Sequence, residues 1–180
     1  MVKIKIAGNV VERFETSNTK FAVVEVKRKS GTGDRIFVLD NEEQLVVGRR
    51  VEVKGDLITR KFTRESRKIW YVVPNIIDGI VDIQGGWHNQ VEAEVRISDN
   101  IKLRETPAGK KVAELTFNDE ENHCYLYAIA FNEYAQELFA TIKKGDKVKV
   151  TKARLQSRWY GPETNQSMVN ELLINELNKI

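Results

Sequence analysis

Val2, Ile4 and Ile6 alternate with Lys3 and Lys5 at the start of the chain, the period of two expected of a strand with one buried face. Short runs rich in Val, Ile and aromatic residues follow at Phe21–Lys27, Arg35–Leu39, Val51–Lys54 and Trp70–Val73, parted by turn clusters such as Ser30-Gly31-Thr32-Gly33-Asp34. These predict five strands in the first half. Val91–Ile97, Val112–Asn118, Cys124–Phe131, Lys147–Gln156 and Val169–Ile174 predict five more in the second. One segment, Asn132–Lys144, changes period: Tyr134, Leu138 and Ile142 recur four apart, Ala135 and Phe139 widen the stripe, and Gly145 follows. A helix is therefore expected between the third and fourth strands of the second half. The matching place in the first half, Asn41–Val47, has room for about two turns before Gly48.

The halves also repeat in residues. Gly48-Arg49-Arg50-Val51-Glu52-Val53 lines up with Gly145-Asp146-Lys147-Val148-Lys149-Val150, and Leu57, Arg60 and Phe62 match Leu155, Arg158 and Tyr160 after a one-residue insertion. The expected organisation is two copies, 1–82 and 89–180, joined by a turn-like segment 83–88 too short for a floppy tether. The fold class is all-β with one clear helix. Five strands with a helix between the third and fourth is the layout of the OB-fold, so two tandem five-stranded OB-fold barrels are expected. An SH3-like barrel is the competing small-barrel reading.

Composition adds exclusions. The 180 residues are 41% hydrophobic and 31% charged, enough apolar content to build cores. The single cysteine, Cys124, rules out an internal disulfide framework. No apolar run approaches the roughly 20 residues of a membrane helix, and the alternating MVKIKI start is unlike a signal peptide. A cytoplasmic protein without a membrane partner is expected. The net charge of +3 averages an uneven split: residues 1–82 hold 16 Lys and Arg against 12 Asp and Glu, residues 83–180 hold 13 against 14.

Leu103–Phe117 (LRETPAGKKVAELTF) resembles the first-hairpin segment of bacterial single-stranded DNA-binding proteins. Asn89-Gln90-Val91 is similar to that family's opening Asn-x-Val, Tyr125–Gln136 (YLYAIAFNEYAQ) to its third strand running into the helix, Lys144–Val150 to its Lys-Gly-Asp-x-Val-x-Val, and Arg154–Arg158 to its Arg-Leu-Gln-x-Arg. The match covers nearly all of residues 89–177. In the more divergent first half, Ile6–Glu15 (IAGNVVERFE) resembles the N-terminal copy of tandem-OB relatives in Gram-positive bacteria, their phages and mobile elements. The resemblance implies a protein that coats or escorts single-stranded DNA in replication, recombination or DNA transfer. The family's Gly/Gln-rich linker and acidic tip are not expected, because the sequence stops at Glu176–Ile180. Two OB copies per chain make a monomer or homodimer the expected state.

Binding a single strand without reading its sequence needs rings on which bases stack and cations along the phosphates. Alternation divides Cys124–Phe131 into a small aliphatic face (Cys124, Leu126, Ala128, Ala130) suited to a barrel interior and an outer face of Tyr125, Tyr127, Ile129 and Phe131. The resemblance puts Tyr125 and Phe131 at strand-three stacking positions and Tyr160 at the hairpin position. Arg104, Lys110, Lys111, Arg154 and Arg158 are the cations of this copy. In the first copy, Arg60–Tyr71 mixes five cations with three aromatics; Arg60, Phe62, Arg64 and Lys68 are its candidate contacts, and Trp70 reads as core. The face of Phe37 is open.

No catalytic constellation stands out. His123 and Cys124, adjacent in a strand, point to opposite faces, and His88 has no second ligand at metal spacing, so neither metal nor cofactor is expected. Gly31-Thr32-Gly33 lacks a following helix and reads as a turn. Besides single-stranded DNA the expected partners are replication or recombination proteins. An OB adaptor docking a replication enzyme and an RNA-binding OB protein are the alternatives to a DNA-coating role.

Overall fold

The structure, a computed structural model, describes residues 1–180 apart from 65, 66 and 82; the side chains of 67–72, 76, 77, 80, 81 and 160 also lie outside the described set. Its strands are β1 (Val2–Thr16), β2 (Thr19–Lys27), β3 (Gly33–Leu39), β4 (Arg50–Arg64), β5 (Arg67–Val81), β6 (His88–Ile97), β7 (Lys102–Glu105), β8 (Lys111–Asp119), β9 (Cys124–Phe131), β10 (Lys147–Tyr160) and β11 (Ser167–Lys179), with α1 (Asn132–Thr141) between β9 and β10. They hydrogen-bond in the order β2-β3-β5-β4-β1-β6-β10-β11-β9-β8-β7, and the extra pairings β2–β1 and β6–β8 close the sheet twice. Each ring of five has the OB connection, with antiparallel neighbours except for a short parallel contact of third and fifth strands, Leu39 with Asn75 and Leu172 with Ala128.

β1 and β6 join the rings. Their register pairs Val2 with Ala93, Ile4 with Val91 and Ile6 with Asn89. Within the rings Ile6 faces Val53 and Ala93 faces Val150, so the Val53/Val150 repeat makes Ile6 the counterpart of Ala93, and Ile4 that of Val91. Ile4 thus pairs with its own counterpart. The junction is self-complementary about a pseudo-twofold axis through this pair, the arrangement of an isologous dimer interface within one chain. Near it β1 turns from β4 and β6 toward β2; a Cβ at Gly8 would collide with the Glu25 carbonyl, so only glycine fits the crossing. On β6, the Asn89 amide donates to the Leu155 carbonyl (2.6 Å) and accepts from the Leu155 N–H (2.9 Å), which satisfies β10 beyond the irregularity at Val150–Ala153.

The main core lines both barrels, with Ile6, Ile36, Leu45, Leu57, Ile97, Leu115, Phe117, Leu126 and Leu155 all under 2% exposed. The barrel mouths are plugged differently. In the second, α1 inserts Ala135 and Leu138, and its N–H–capped end at Ile142 leads to Gly145. The helix is shorter than the expected 132–144, and Phe139 lies on its exposed side, with the Lys143 ammonium 5.9 Å from the ring, instead of widening the buried stripe. In the first, no helix forms over 41–47. The buried Asp40 carboxylate accepts the Gln44 and Leu45 N–H groups at 2.9 Å and an Arg13 N–H at 2.6 Å. A local carboxylate thereby competes for amides that a helix would use, and the loop it holds drops Leu45 into the barrel mouth.

Each barrel's last hairpin crosses to the other. The β4–β5 hairpin reaches β9, where the Thr59 hydroxyl donates to the Tyr125 carbonyl at 2.7 Å. The β10–β11 hairpin lies along β3 and, among the described residues, makes the larger set of bonds. Asn170 accepts the Phe37 N–H (3.0 Å) and donates to the Arg35 carbonyl (2.9 Å), and Ser157 accepts the Arg35 N–H (3.1 Å). Asp34, 1% exposed, accepts from the Ser157 N–H (2.9 Å), Arg154 (3.0 Å) and Arg28 (2.8 Å). Its hydrogen bond to Arg28 raises that guanidinium's pKa, whereas burial lowers that of Arg154. Removing the carboxylate leaves buried donors unmatched. Asp34→Ala is expected to lower the unfolding free energy by about 3–5 kcal/mol and Asn170→Leu by about 2 kcal/mol, read from urea midpoints at unchanged slope.

Candidate nucleic-acid interface

β9 carries the open aromatic face. Leu126, Ala128 and Ala130 point into the barrel at 1% exposure or less, as the alternation predicts, while Tyr125 is 58% and Tyr127 64% exposed. Ile129 and Phe131 continue the row half-buried, Phe131 opposite Val112 and directly before α1. Two concavities flank Tyr127. One is lined by Lys102, Arg104, Glu114, Thr116, Arg158 and Glu171, among others; the second by Thr59, His123, Cys124 and Tyr125. Together they form a groove across the outer face of β8 and β9, bounded by β7, by the β10–β11 hairpin and, from the first barrel, by Thr59.

Carboxylates hold two groove cations. Arg104 Nε lies 2.5 Å from Glu114 Oε1, both side chains largely in solvent, and Arg158 Nε lies 2.5 Å from Glu171 Oε2. Glu171 is 9% exposed and also accepts the Gln156 amide at 3.1 Å. The two pairs differ in consequence. An exposed pair contributes about 0–1 kcal/mol, so a phosphate can take Arg104 from Glu114 at little cost. Pulling Arg158 off would strand a buried carboxylate, so this pair is the costlier of the two to break.

The other expected contacts fall in several places. Lys110 is on the β7–β8 turn and Lys111 opens β8, paired with Glu105. Arg60 is exposed, and its charge reaches Cys124 at the groove's end. Three positions are corrected. Phe62 is 3% exposed and packs on Phe21 with ring centroids 4.4 Å apart, so it presents no free face to a base. Arg64 is tied to Glu12 at 3.0 Å and sits 4.2 Å over the Phe14 ring. Arg154 is consumed by Asp34 in the inter-barrel clasp. Phe37 also belongs to this covered cluster. The side chains of Lys68, Trp70 and Tyr160 lie outside the described residues.

Sequence reading passed over Trp159, which is 60% exposed on the β10–β11 hairpin, because the resemblance directed attention to its neighbour Tyr160. It also passed over Lys102 and Thr59, which carry no pattern of their own and reach the groove only through tertiary folding. Among the described residues, no cluster of His, Cys, Asp and Glu could hold a metal ion, and no helix is long and apolar enough to cross a membrane.

Comparison with solved structures places this architecture. The chain superposes over its whole length on the wild-type single-stranded DNA-binding protein of Thermus aquaticus, covering 93% of that chain with a TM-score of 0.73 and 19% identity. A deletion variant of the same protein gives a TM-score of 0.71 at 19% identity, with 100% of this chain and 94% of that chain covered. At such identity the likeness establishes the fold, a single-stranded DNA-binding-protein-like pair of OB barrels. No family model matches the chain, and no curated protein sequence does.

Cys124 reports on the groove. Burial raises its pKa, outweighing the opposing influence of the Thr59 backbone and of Arg60. Less thiolate is present at a given pH. Alkylation by iodoacetamide at pH 8 is expected to be slower than for a free cysteine, and slower again when the groove is filled by an oligonucleotide.

Proposed function

We propose that this protein binds single-stranded DNA with little sequence preference, coating or escorting it during replication, recombination or DNA transfer. The two units are 1–82 and 89–180, joined by 83–88. The observation that carries the reading is the pair of tyrosines held out to solvent on β9, where a sheet ordinarily shows polar residues, inside a groove edged by Lys102, Arg104 and Arg158. The fold shared with the Thermus aquaticus protein supports it.

The geometry favours a single strand over a duplex. Residues two apart on a strand are about 6.6 Å apart, so Tyr125 and Tyr127 are too widely spaced for neighbouring bases kept at the 3.4 Å duplex rise. Each ring takes a base that has left its own stack. Every base has a π-face, so the contact is tolerant of sequence, and cations at the groove edge follow the phosphates. The reading calls for no reacting group: the work is stacking and counterion release. The protein is non-enzymatic on this reading, needs no cofactor, and acts in the cytoplasm as a monomer or homodimer.

Oligo-dT titration followed by tryptophan fluorescence tests it. Tyr127→Ala and Tyr125→Ala are each expected to weaken binding by about 1–3 kcal/mol, roughly 5- to 150-fold, and a Tyr125→Ala/Phe131→Ala/Tyr160→Ala triple variant to abolish it at moderate salt. Affinity should fall with salt and be far weaker for duplex. Failure of poly-dT to bind at low salt would refute the coating role and favour an adaptor; an equal or stronger preference for single-stranded RNA would reassign the ligand. Glu114→Gln is expected to raise affinity a few-fold and steepen the salt dependence, since it frees Arg104 for phosphate without stranding a buried charge.

A further inference from the structure

Strand register matches the outer faces of the two barrels residue by residue. Leu57 faces Pro74 and Leu155 faces Leu172, so the Leu57/Leu155 repeat makes Asn75 on β5 the counterpart of Leu173 on β11. The parallel pairs Leu39 with Asn75 and Ile129 with Leu173 then make Leu39 the counterpart of Ile129, and Phe37 that of Tyr127. Across the next ladder, Phe21 faces Leu39 and Val23 faces Phe37, while Glu114 faces Ile129 and Thr116 faces Tyr127. Phe21, Val23, Phe37 and Leu39 therefore stand in the first barrel where Glu114, Thr116, Tyr127 and Ile129 stand in the second.

The two faces have opposite chemistry and opposite exposure. In the first barrel all four residues are apolar and at most 5% exposed; in the second the face is mixed and open, with Tyr127 64% exposed. The first is roofed by Ile58, Phe62 and Val73 from its own hairpin and by Met168 and Val169 from β11. Its rings are packed on one another, Phe14 on Phe21 at 4.9 Å and Phe21 on Phe62 at 4.4 Å, and Arg64 lies across Phe14 and Phe37.

Among the described residues the clasp is asymmetric for the same reason. One residue of each hairpin reaches the matching carbonyl of the other barrel, Asn170 to Arg35 and Thr59 to Tyr125. The further bonds of the β10–β11 hairpin use Asp34, Arg154 and Asn170, whose counterparts in the same register are Cys124, Asp56 and Val72. No acid–base pair and no side-chain amide exist at those positions.

We propose that, among the described residues, the stacking face for single-stranded DNA is the one on β8 and β9, and that the equivalent face of the first barrel is a permanent seat for the second barrel's hairpin. The face formed by Phe21, Val23, Phe37 and Leu39 does not contribute a second site. The first barrel holds the β10–β11 hairpin, with Arg158, at the edge of the β8–β9 groove and lends that groove Thr59. A base cannot enter the first barrel's face without exposing several fully buried side chains at once, and one stacking contact does not offset that loss.

This inference rests on the single-strand reading above, and counting sites separates the two. Native mass spectrometry of the whole protein with short oligo-dT, of a length within the roughly 4–16 nucleotides one OB fold accommodates, is expected to saturate at one oligonucleotide per chain. Photocrosslinking with 5-iodo-deoxyuridine in the same oligonucleotide should label peptides containing Tyr125 or Tyr127 and none containing Phe21, Phe37 or Phe62; it uses the unaltered protein, so no variant need fold. Phe37→Leu, if folded by circular dichroism, should keep affinity within twofold, whereas Tyr127→Ala should not. Two short oligonucleotides per chain, or crosslinks to the first barrel's phenylalanines, would overturn the single-face assignment while leaving single-strand binding intact. Absence of binding under all conditions would overturn the parent reading and this one with it.

Discussion

A buried carboxylate, Asp34, fixes how the two halves of this molecule meet. It is 1% exposed and sits where β3 of the first barrel touches the β10–β11 hairpin of the second, answered by Arg28, Arg154 and the Ser157 N–H. A charge removed from water is tolerated only when its lone pairs are met. The donors come from both barrels, so Asp34 is satisfied only when the hairpin is docked. Asn170 completes the seat by bonding the N–H and carbonyl groups of β3 that no strand reaches. Specific polar bonds thus set the position, and the apolar cluster of Phe14, Phe21, Phe37, Phe62, Met168 and Val169 supplies most of the driving force.

From that seat the functional asymmetry follows. A hairpin pinned over the first barrel covers its aromatic face, and the opposite hairpin, with Thr59 as its described anchor, leaves Tyr125 and Tyr127 in solvent. The same sheet junction, β1 on β6, would allow a symmetric molecule, since its register is self-complementary about Ile4 and Val91. At the clasp, symmetry is lost where side chains differ at matching positions. The groove left open is nearly balanced in charge because Glu114 and Glu171 occupy two of its arginines. Small net charge and the proposed nucleic-acid ligand are therefore compatible: the rings would supply contacts that do not depend on charge, and the exposed Glu114 would act as an internal counterion that a phosphate replaces.

Much of the fold was legible along the chain. Alternation located the strands, the change of period located α1, and the two Gly-initiated repeats located the matching strands. The inward and outward residues of β9 also followed directly from period two. The first half misled at two points for definite reasons. Asn41–Val47 has the length of a short helix, but Asp40 captures two amides and Arg13 and keeps it a loop. Phe62 shares its position with Tyr160 and lies among arginines, which reads as a binding hairpin; Phe14, Phe21 and Phe37 surround it instead, brought from three other strands.

By itself the sequence determined the strands, their pairing into two OB barrels and the strand whose outer face carries exposed tyrosines, because these depend on local periodicity and on patterns within one repeat. Which surface stays open was decided only by tertiary structure. Exposure of Phe37 or Tyr127 depends on what another barrel lays over it, and that depends on whether residues more than a hundred positions away, such as Arg154 and Asn170, can satisfy Asp34 and the edge of β3. Periodicity assigns a side chain to a face of its own strand; it holds no information on the partner that covers that face.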